Sequence, residues 1–322
     1  MATASDALRL RIITHNIRTI PLVRFPPEKS WDTRKRHLIH QLTTSTTQHP
    51  ETLTCLQEVL HRQLEDILNG LNSSTTGQAS STASGNNNNG RWKHIGCGRD
   101  GNNRGEYSPI LYRSDIWDVE WTETRWLCPD YYDRPSRGWD AAHRRILTAA
   151  VMRHGGSSRR LLVLNTHLDH KGRQSRLESA KMVLQWVEKW LSCPGPDAGA
   201  LAGMGTIEGV FLCGDFNTDA QDQGDAFSTL TAEVAVFSDA KRLASDDSGH
   251  TTCGDRYSFT GFNDNPKDDA LLDYVLLGPK RNNPWDVWNY DILPNKTEEG
   301  MYISDHRAVV VDVQLKGPRA YG

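Results

Sequence analysis

The sequence predicts an α/β protein: two stacked, mainly antiparallel β-sheets with helices on the outside. Three observations predict it. Strand-like segments outnumber helical ones, and several follow one another as hairpins rather than as strand–helix–strand units. No Gly-x-Gly-x-x-Gly follows the first strand, and no Gly-Lys-Ser/Thr phosphate loop occurs, which disfavours a Rossmann-like arrangement.

Residues 8–12 alternate apolar and polar with period two, as a half-exposed strand does, and Ile12-Ile13 runs on into Thr14-His15-Asn16. Residues 31–47 and 61–71 carry helical spacing, Leu38 with Leu42 and then Leu64, Ile67, Leu68 and Leu71. Between them an apolar strand at 52–56 delivers Gln57-Glu58. Residues 73–90 are Ser, Thr, Gly and Asn almost throughout. Such a composition cannot bury a core, so it reads as a mobile surface insertion within a single domain spanning 1–322. Strands are expected at 108–113, 117–126, 146–154 and 161–167. Residues 174–191 form the clearest helix, with Leu177, Ala180, Leu184, Val187 and Leu191 on one stripe. A Gly/Pro/Ala loop covers 194–209, a buried strand 210–213 and a further helix 226–237. Asp273 interrupts an apolar strand at 271–277. The last strand, 308–315, alternates only weakly and is expected to be buried on both faces.

Bulk properties narrow the function. The 322 residues carry a formal charge of −3 and a pI near 6.5, so there is no global basic footprint of a duplex-binding domain, and stable duplex-DNA binding is not expected. Six cysteines without a Cys-x-x-Cys pair read as reduced thiols. No run approaches the ~18–20 apolar residues that cross a bilayer. The first residues lack the basic and apolar segments of a secretory signal. A cytoplasmic monomer is the expectation, with secretion left open.

The chemistry lies at the strand ends. Asn16, Glu58, His167, Asp215 with Asn217, Asp273, and Asp305 with His306 all terminate or interrupt apolar strands. Each has an ordinary reading alone: a turn asparagine, a helix-start acid, a satisfied core histidine, an Asx turn. Together they make six polar strand ends that one sheet system could bring to one place. Asp273, within a buried strand, needs a strong partner. The natural one is the imidazole of His306, whose basicity the pairing would raise. Carboxylates plus an amide form an oxygen-donor set that selects Mg²⁺ or Mn²⁺ over Zn²⁺. With two histidines as cationic donors to phosphate and an Asp–Asn pair to orient and deprotonate water, the sum is metal-assisted phosphoester hydrolysis.

These residues fall in motifs: Thr14-His15-Asn16, Leu56-Gln57-Glu58-Val59, Gly105-Glu106-Tyr107, Asn165-Thr166-His167-Leu168-Asp169-His170, Gly214-Asp215-Phe216-Asn217, Leu272-Asp273-Tyr274-Val275 and Ser304-Asp305-His306. In this order they resemble the endonuclease/exonuclease/phosphatase superfamily, with its deoxyribonuclease-I-like fold. The resemblance implies a four-layer α/β sandwich with the site between the sheet edges. It implies Glu58 as principal metal ligand, assisted by Asn16 and Asp305. Asp215, beside Asn217, would act on the attacking water and lie at the metal. His167 and His306 would contact the phosphate. Asp273 would pair with the second histidine and Glu106 would support the first.

Gly138-Trp139-Asp140-Ala141-Ala142 with Arg144-Arg145-Ile146, and Arg176 downstream, resemble a group of mostly uncharacterised hydrolases of that superfamily. On this basis Asp169, His170, Arg144, Arg176 and Trp139 are substrate-binding candidates. Asp169 could equally be tied up in a salt bridge to Arg173 or Arg176. The aromatics of 121–139 either pack the core or wall the metal site. The expected substrate is a small or exposed phosphoester: a phosphomonoester, a nucleotide or a single-stranded 3′ end. A nuclease using local arginines (Arg91, Arg99, Arg104, Arg134, Arg137, Arg144, Arg145), a phospholipid headgroup hydrolase and an inactive binding module are the alternatives.

Overall fold

In β1 (Leu8–Asn16) the first half alternates, with Arg9 and Arg11 directed outward, and the second half is buried throughout. The switch has a structural cause. From Ile12 onward the strand is flanked on both sides, by an antiparallel partner and a parallel one. The computed structural model describes residues 7–75, 91–192, 205–245 and 251–317. Its elements after β1 are α1 (Trp31–Thr46), β2 (Leu53–Gln57), α2 (His61–Thr75), β3 (Trp92–Ile95), β4 (Ile110–Arg113), β5 (Trp117–Trp126), β6 (Ile146–His154), β7 (Arg160–His167) and α3 (Arg173–Ser192). There follow β8 (Gly209–Asp215), α4 (Ala226–Leu230), β9 (Ser238–Asp239), α5 (Ala240–Ser245), β10 (Thr251–Gly254), β11 (Asp273–Gly278), β12 (Trp285–Ile292) and β13 (Val309–Leu315).

The strands make two sheets, ordered β10-β12-β13-β1-β2-β4-β3 and β5-β6-β7-β8-β11-β9. Among the described residues β1–β2, β10–β12 and β7–β8 pair in parallel, and the other pairings are antiparallel. Ile12, Cys55, Val163, Phe211, Val275 and Val311 meet in the core between the sheets. Leu38, Leu42, Leu64 and Ile67 of α1 and α2 pack on Leu56 and Leu111 of the first sheet. Ala180, Val183 and Val187 of α3 pack on Leu162, Leu164 and Leu212 of the second. The result is the four-layer α/β sandwich.

Some boundaries differ from the sequence expectation. The helix expected over 226–237 stops at Leu230, because the chain turns inward to seat Phe237 in the core and Ser238 beside Leu277 of β11. Residues 73–75 of the expected insertion are the last turn of α2, and 76–90 lie outside the described residues. Strand β13 is fully buried only over its first half, since Asp312 and Gln314 are half-buried where they receive Arg11 and Arg9. Strand β12 was not legible in sequence, because a bulge between Val287 and Asn289 breaks its alternation.

Candidate active site

Register places the site. In the parallel β7–β8 pair His167 lies beside Asp215, and in the antiparallel β8–β11 pair Asp215 lies opposite Asp273. Three polar side chains thus stand in one row across the end of the second sheet. The first sheet presents Asn16 beside Gln57 at the same end, with Glu58 next in the chain. Amide side chains cross between the sheets. Gln57 Nε2 donates to Asn165 Oδ1 at 2.8 Å, and Asn16 Nδ2 donates to Asp215 Oδ2 at 2.9 Å.

Glu58 has a left-handed backbone (φ 60°), which turns the chain abruptly out of β2. Its Oε2 accepts the Thr19 N–H at 2.9 Å and its Oε1 the Asn16 amide at 3.2 Å. Burial alone would raise its pKa, but the Thr19 N–H, Arg18 and Asn16 prevail and hold it below its ordinary value. Asp305 lines the same cavity, 3.8 Å from Arg18 Nη1. Burial raises its pKa, and the Glu58 charge adds to this against the pull of His306. Two buried carboxylates that repel each other across an open cavity form an oxygen donor set suited to a hard divalent cation. Asn16 Oδ1 accepts the Arg18 N–H at 3.0 Å, so this amide presents its N–H₂ group, rather than its oxygen, to the two carboxylates.

Asp215, Asp273 and His306 also bring one potential ligand atom each within 4.8 Å of one another. His306 does not suit this trio to a metal. It donates from Nδ1 to Asp273 Oδ2 at 2.7 Å. Burial opposes its charge, but Asp273 and Asp215 push its pKa up to about 10. An imidazolium has no lone pair to offer. Glu58 and Asp305, which both line the cavity, are carboxylates that could hold a metal there.

Asp215 is raised to about 7, first by burial and further by Asp273, although His306 opposes the shift. Its Oδ1 accepts the Asn217 N–H at 2.9 Å. His167 and His306 hold their Nε2 atoms 3.5 and 3.7 Å from Oδ2. Asn217, also left-handed (φ 50°), donates from Nδ2 to His167 Nε2 and to the Leu168 carbonyl, both at 3.0 Å. The two histidines are shifted in opposite directions: burial, helped by Arg145 and Arg99, takes His167 well below its ordinary pKa.

The cavity they line measures about 480 Å³. Arg18, Arg99 and Arg145 reach it, and Phe25, Phe259 and Phe262 form its apolar wall. Phe259 meets His306 edge-on, centroids 4.9 Å apart. The phenylalanines and Arg18 were not found by sequence reading. They come from loops without strand periodicity, and neighbouring motifs gave no signal.

Several expectations are corrected. Glu106 lines the cavity, but its Oε2 accepts from Arg99 Nη1 at 2.6 Å, and no hydrogen bond or ion pair joins it to His167 among the described residues. Asp169 is buried and turned away. It accepts the backbone N–H groups of Ala142, His143, Lys171 and Gly172 and the Nε–H of Arg145. Arg176 is spent on Asp225 at 2.7 Å and on the Asp169 carbonyl. Arg144 does not line the reaction cavity but pairs with Asp100 in the wall of an adjoining one. Trp139 is half-buried and does not line it, whereas His170 does, stacked on His143. Of the aromatics of 121–139, Trp126 is buried, Trp121 meets Trp190 and Tyr132 meets Trp186 around Arg125, while Tyr131 and Tyr132 are exposed; none of them lines the reaction cavity.

Stacked sheets whose strand ends converge on carboxylates, amides and an Asp–His pair define a phosphoester-hydrolase class of α/β sandwich. The chain belongs to the Endonuclease/Exonuclease/phosphatase family, whose sequence model matches residues 13–306. Members of this family are metal-dependent phosphoester hydrolases. Among solved structures, an endonuclease/exonuclease/phosphatase from Bacteroides vulgatus is similar at 26% identity and TM-score 0.73, covering 96% of this chain and 100% of that one. A Bacteroides thetaiotaomicron mannosyl-6-phosphatase shares the fold at 23% identity and TM-score 0.72, covering 94% and 99%. The human nocturnin catalytic domain, with a bound sulfate, shares it at 17% identity and TM-score 0.63, covering 96% of each chain. No curated protein matches the chain. Among the described residues no helix is long and apolar enough to cross a membrane.

Proposed function

We propose that the protein is a Mg²⁺- or Mn²⁺-dependent phosphatase acting on a phosphomonoester of a small molecule. The observation that carries this reading is Asp215, raised to about 7 beside the imidazolium of His306 in a cavity of about 480 Å³. A carboxylate with a pKa near the working pH is a competent general base. The volume suits a sugar-sized or nucleotide-sized ligand better than a duplex. The phosphatase among the similar folds supports the same choice.

Asp215 takes a proton from a water held between it and Asn217. Among the described residues Asn217 Oδ1 has no other hydrogen-bond partner. The water oxygen attacks phosphorus in line with the ester bond, which breaks. The departing oxygen takes a proton from solvent and leaves as the alcohol. His306 gives its Nε2–H to a phosphate oxygen while Asp273 holds the ring by Nδ1. Asn217 keeps His167 in one orientation, and Arg145 and Arg18 add positive charge at the cavity wall. Asn16 steadies Glu58 and Asp215 by donating to both. A cation held by Glu58 and Asp305 would neutralise phosphate oxygens as charge develops.

The test is a hydrolysis panel with Mg²⁺ covering sugar phosphates, nucleotides, oligonucleotides and phospholipids. Release of inorganic phosphate from sugar phosphates or nucleotides, lost in EDTA, is expected. Cleavage confined to oligonucleotides or to phospholipids would overturn the reading.

A further inference from the structure

A second cavity of about 450 Å³ adjoins the first and shares Arg99 and His143 with it as a common wall. Its charge is of the opposite kind. The reaction cavity sets Glu58, Glu106, Asp215 and Asp305 against three arginines, as a metal site requires. The second sets Arg99, Arg137 and Arg144 against Asp100 alone. Arg144 is already held by Asp100 at 2.7 Å and Arg99 by Glu106 at 2.6 Å. Arg137 makes no ion pair among the described residues. A guanidinium left free over a concave basic wall favours a bidentate oxyanion, and a phosphate fits that geometry.

The walls are fixed by packing and hydrogen bonds. One is the 98–105 turn, where Gly101 (φ +89°) lies so close to Pro135 that an added Cβ would sit 3.2 Å from its ring. The other is the loop carrying Pro135 to Arg144. Gly138 holds it against Leu127, where a Cβ would come within 2.9 Å of the carbonyl oxygen. At its far end buried Asp169 takes the N–H groups of Ala142 and His143. This gives Asp169 a role outside substrate contact: it sets the position of the arginine-bearing loop.

We propose that this cavity is a subsite for a second phosphate group, so that the substrate is a small molecule carrying two phosphates, one cleaved beside Asp215 and one held by Arg137 and Arg144. The proposal rests on the phosphatase reading above and names the substrate class for it. Two phosphates on one small framework match two adjoining cavities of about 480 and 450 Å³, one built for chemistry and one for holding an anion.

The experiment compares kcat/KM for glucose 6-phosphate and glucose 1,6-bisphosphate, and for a 5′-phosphorylated dinucleotide, in the wild type, in Arg137→Gln and in Arg137→Gln/Arg144→Gln. All are assayed with Mg²⁺ after a melting curve confirms folding. The bisphosphate should be preferred by about tenfold or more, and the double substitution should remove most of that preference, chiefly through KM. Equal use of the sugar mono- and bisphosphate, or a preference indifferent to both arginines, would overturn the subsite and leave the phosphatase reading standing. A dinucleotide preferred over the bisphosphate with the same arginine dependence would assign the second anion to a nucleic-acid backbone and overturn the small-molecule class. Hydrolysis of none of the three would overturn the subsite for two-phosphate substrates of these kinds, while the wider substrate panel decides the phosphatase reading.

Discussion

Asp273 stands directly opposite Asp215 across the antiparallel β8–β11 pair. Like charges in that relation are destabilising. His306 resolves the conflict, donating to Asp273 at 2.7 Å from one ring nitrogen and holding the other 3.7 Å from Asp215. The same arrangement raises the pKa of both the imidazole and Asp215, which the proposed reaction would use as a cation and a base. The repulsion from Asp273 adds to burial in raising the proton affinity of Asp215.

Asp273→Asn should therefore change the pH profile as well as the rate. His306 is now protonated up to about pH 10. Without the Asp273 charge its pKa falls, so the imidazolium is lost earlier and the alkaline limb of kcat moves to lower pH. Asp273 also raises Asp215, so the acid limb should move the same way. A drop in kcat on the order of a hundredfold is expected, with metal affinity little changed. Lost metal binding with both limbs in place would make Asp273 a ligand instead of a partner.

Glu58→Gln removes a charge from the donor set and keeps its shape. Magnesium titrations of activity should show a much weaker apparent affinity, with turnover falling by orders of magnitude at fixed metal, on the order of 10²-fold or more. Wild-type activity after exhaustive chelation would exclude the metal site at Glu58 and Asp305.

Asp169→Asn should act on stability. Burial works against the Asp169 charge, but the Gly172 and Ala142 N–H groups and Arg145 hold its carboxyl well below the usual carboxylate range. A lowered pKa contributes stability above the unfolded value near 4, and that contribution is lost as pH falls further. The variant is expected to be about 2–4 kcal/mol less stable at pH 7, since the Arg145 charge loses its buried counterion. Denaturant melts from pH 7 down to pH 3 should show the difference narrowing in acid. A difference that stays constant with pH would mean the loss is one of packing.

Replacing residues 76–90 by a short Gly/Ser turn should leave the melting temperature nearly unchanged. Their composition holds almost no apolar side chains. The ends they join are already tied together. Asn72 Nδ2 donates to the Trp92 carbonyl at 3.2 Å, and the Trp92 N–H donates to Asn72 Oδ1 at 2.9 Å. A fall of ten degrees or so would show that the segment packs on the body of the protein.

The sequence by itself determined the layers and the chemistry. Period-two and period-3.6 patterns marked β1, β5, β6, β7 and the three long helices, because burial on one face imposes a periodicity that single residues reveal. Polar residues at apolar strand ends marked Asn16, Glu58, His167, Asp215, Asp273 and His306, because such groups are costly to bury without partners. Only tertiary structure decided how those residues divide the work. The lowered pKa of His167 comes from burial and from Arg145 and Arg99, which approach from other strands and loops. Glu106 answers to Arg99, and Asp169 to four backbone N–H groups and Arg145. The phenylalanine wall and the arginine-lined second cavity are made by loops, whose positions depend on what they pack against and leave no period in the chain.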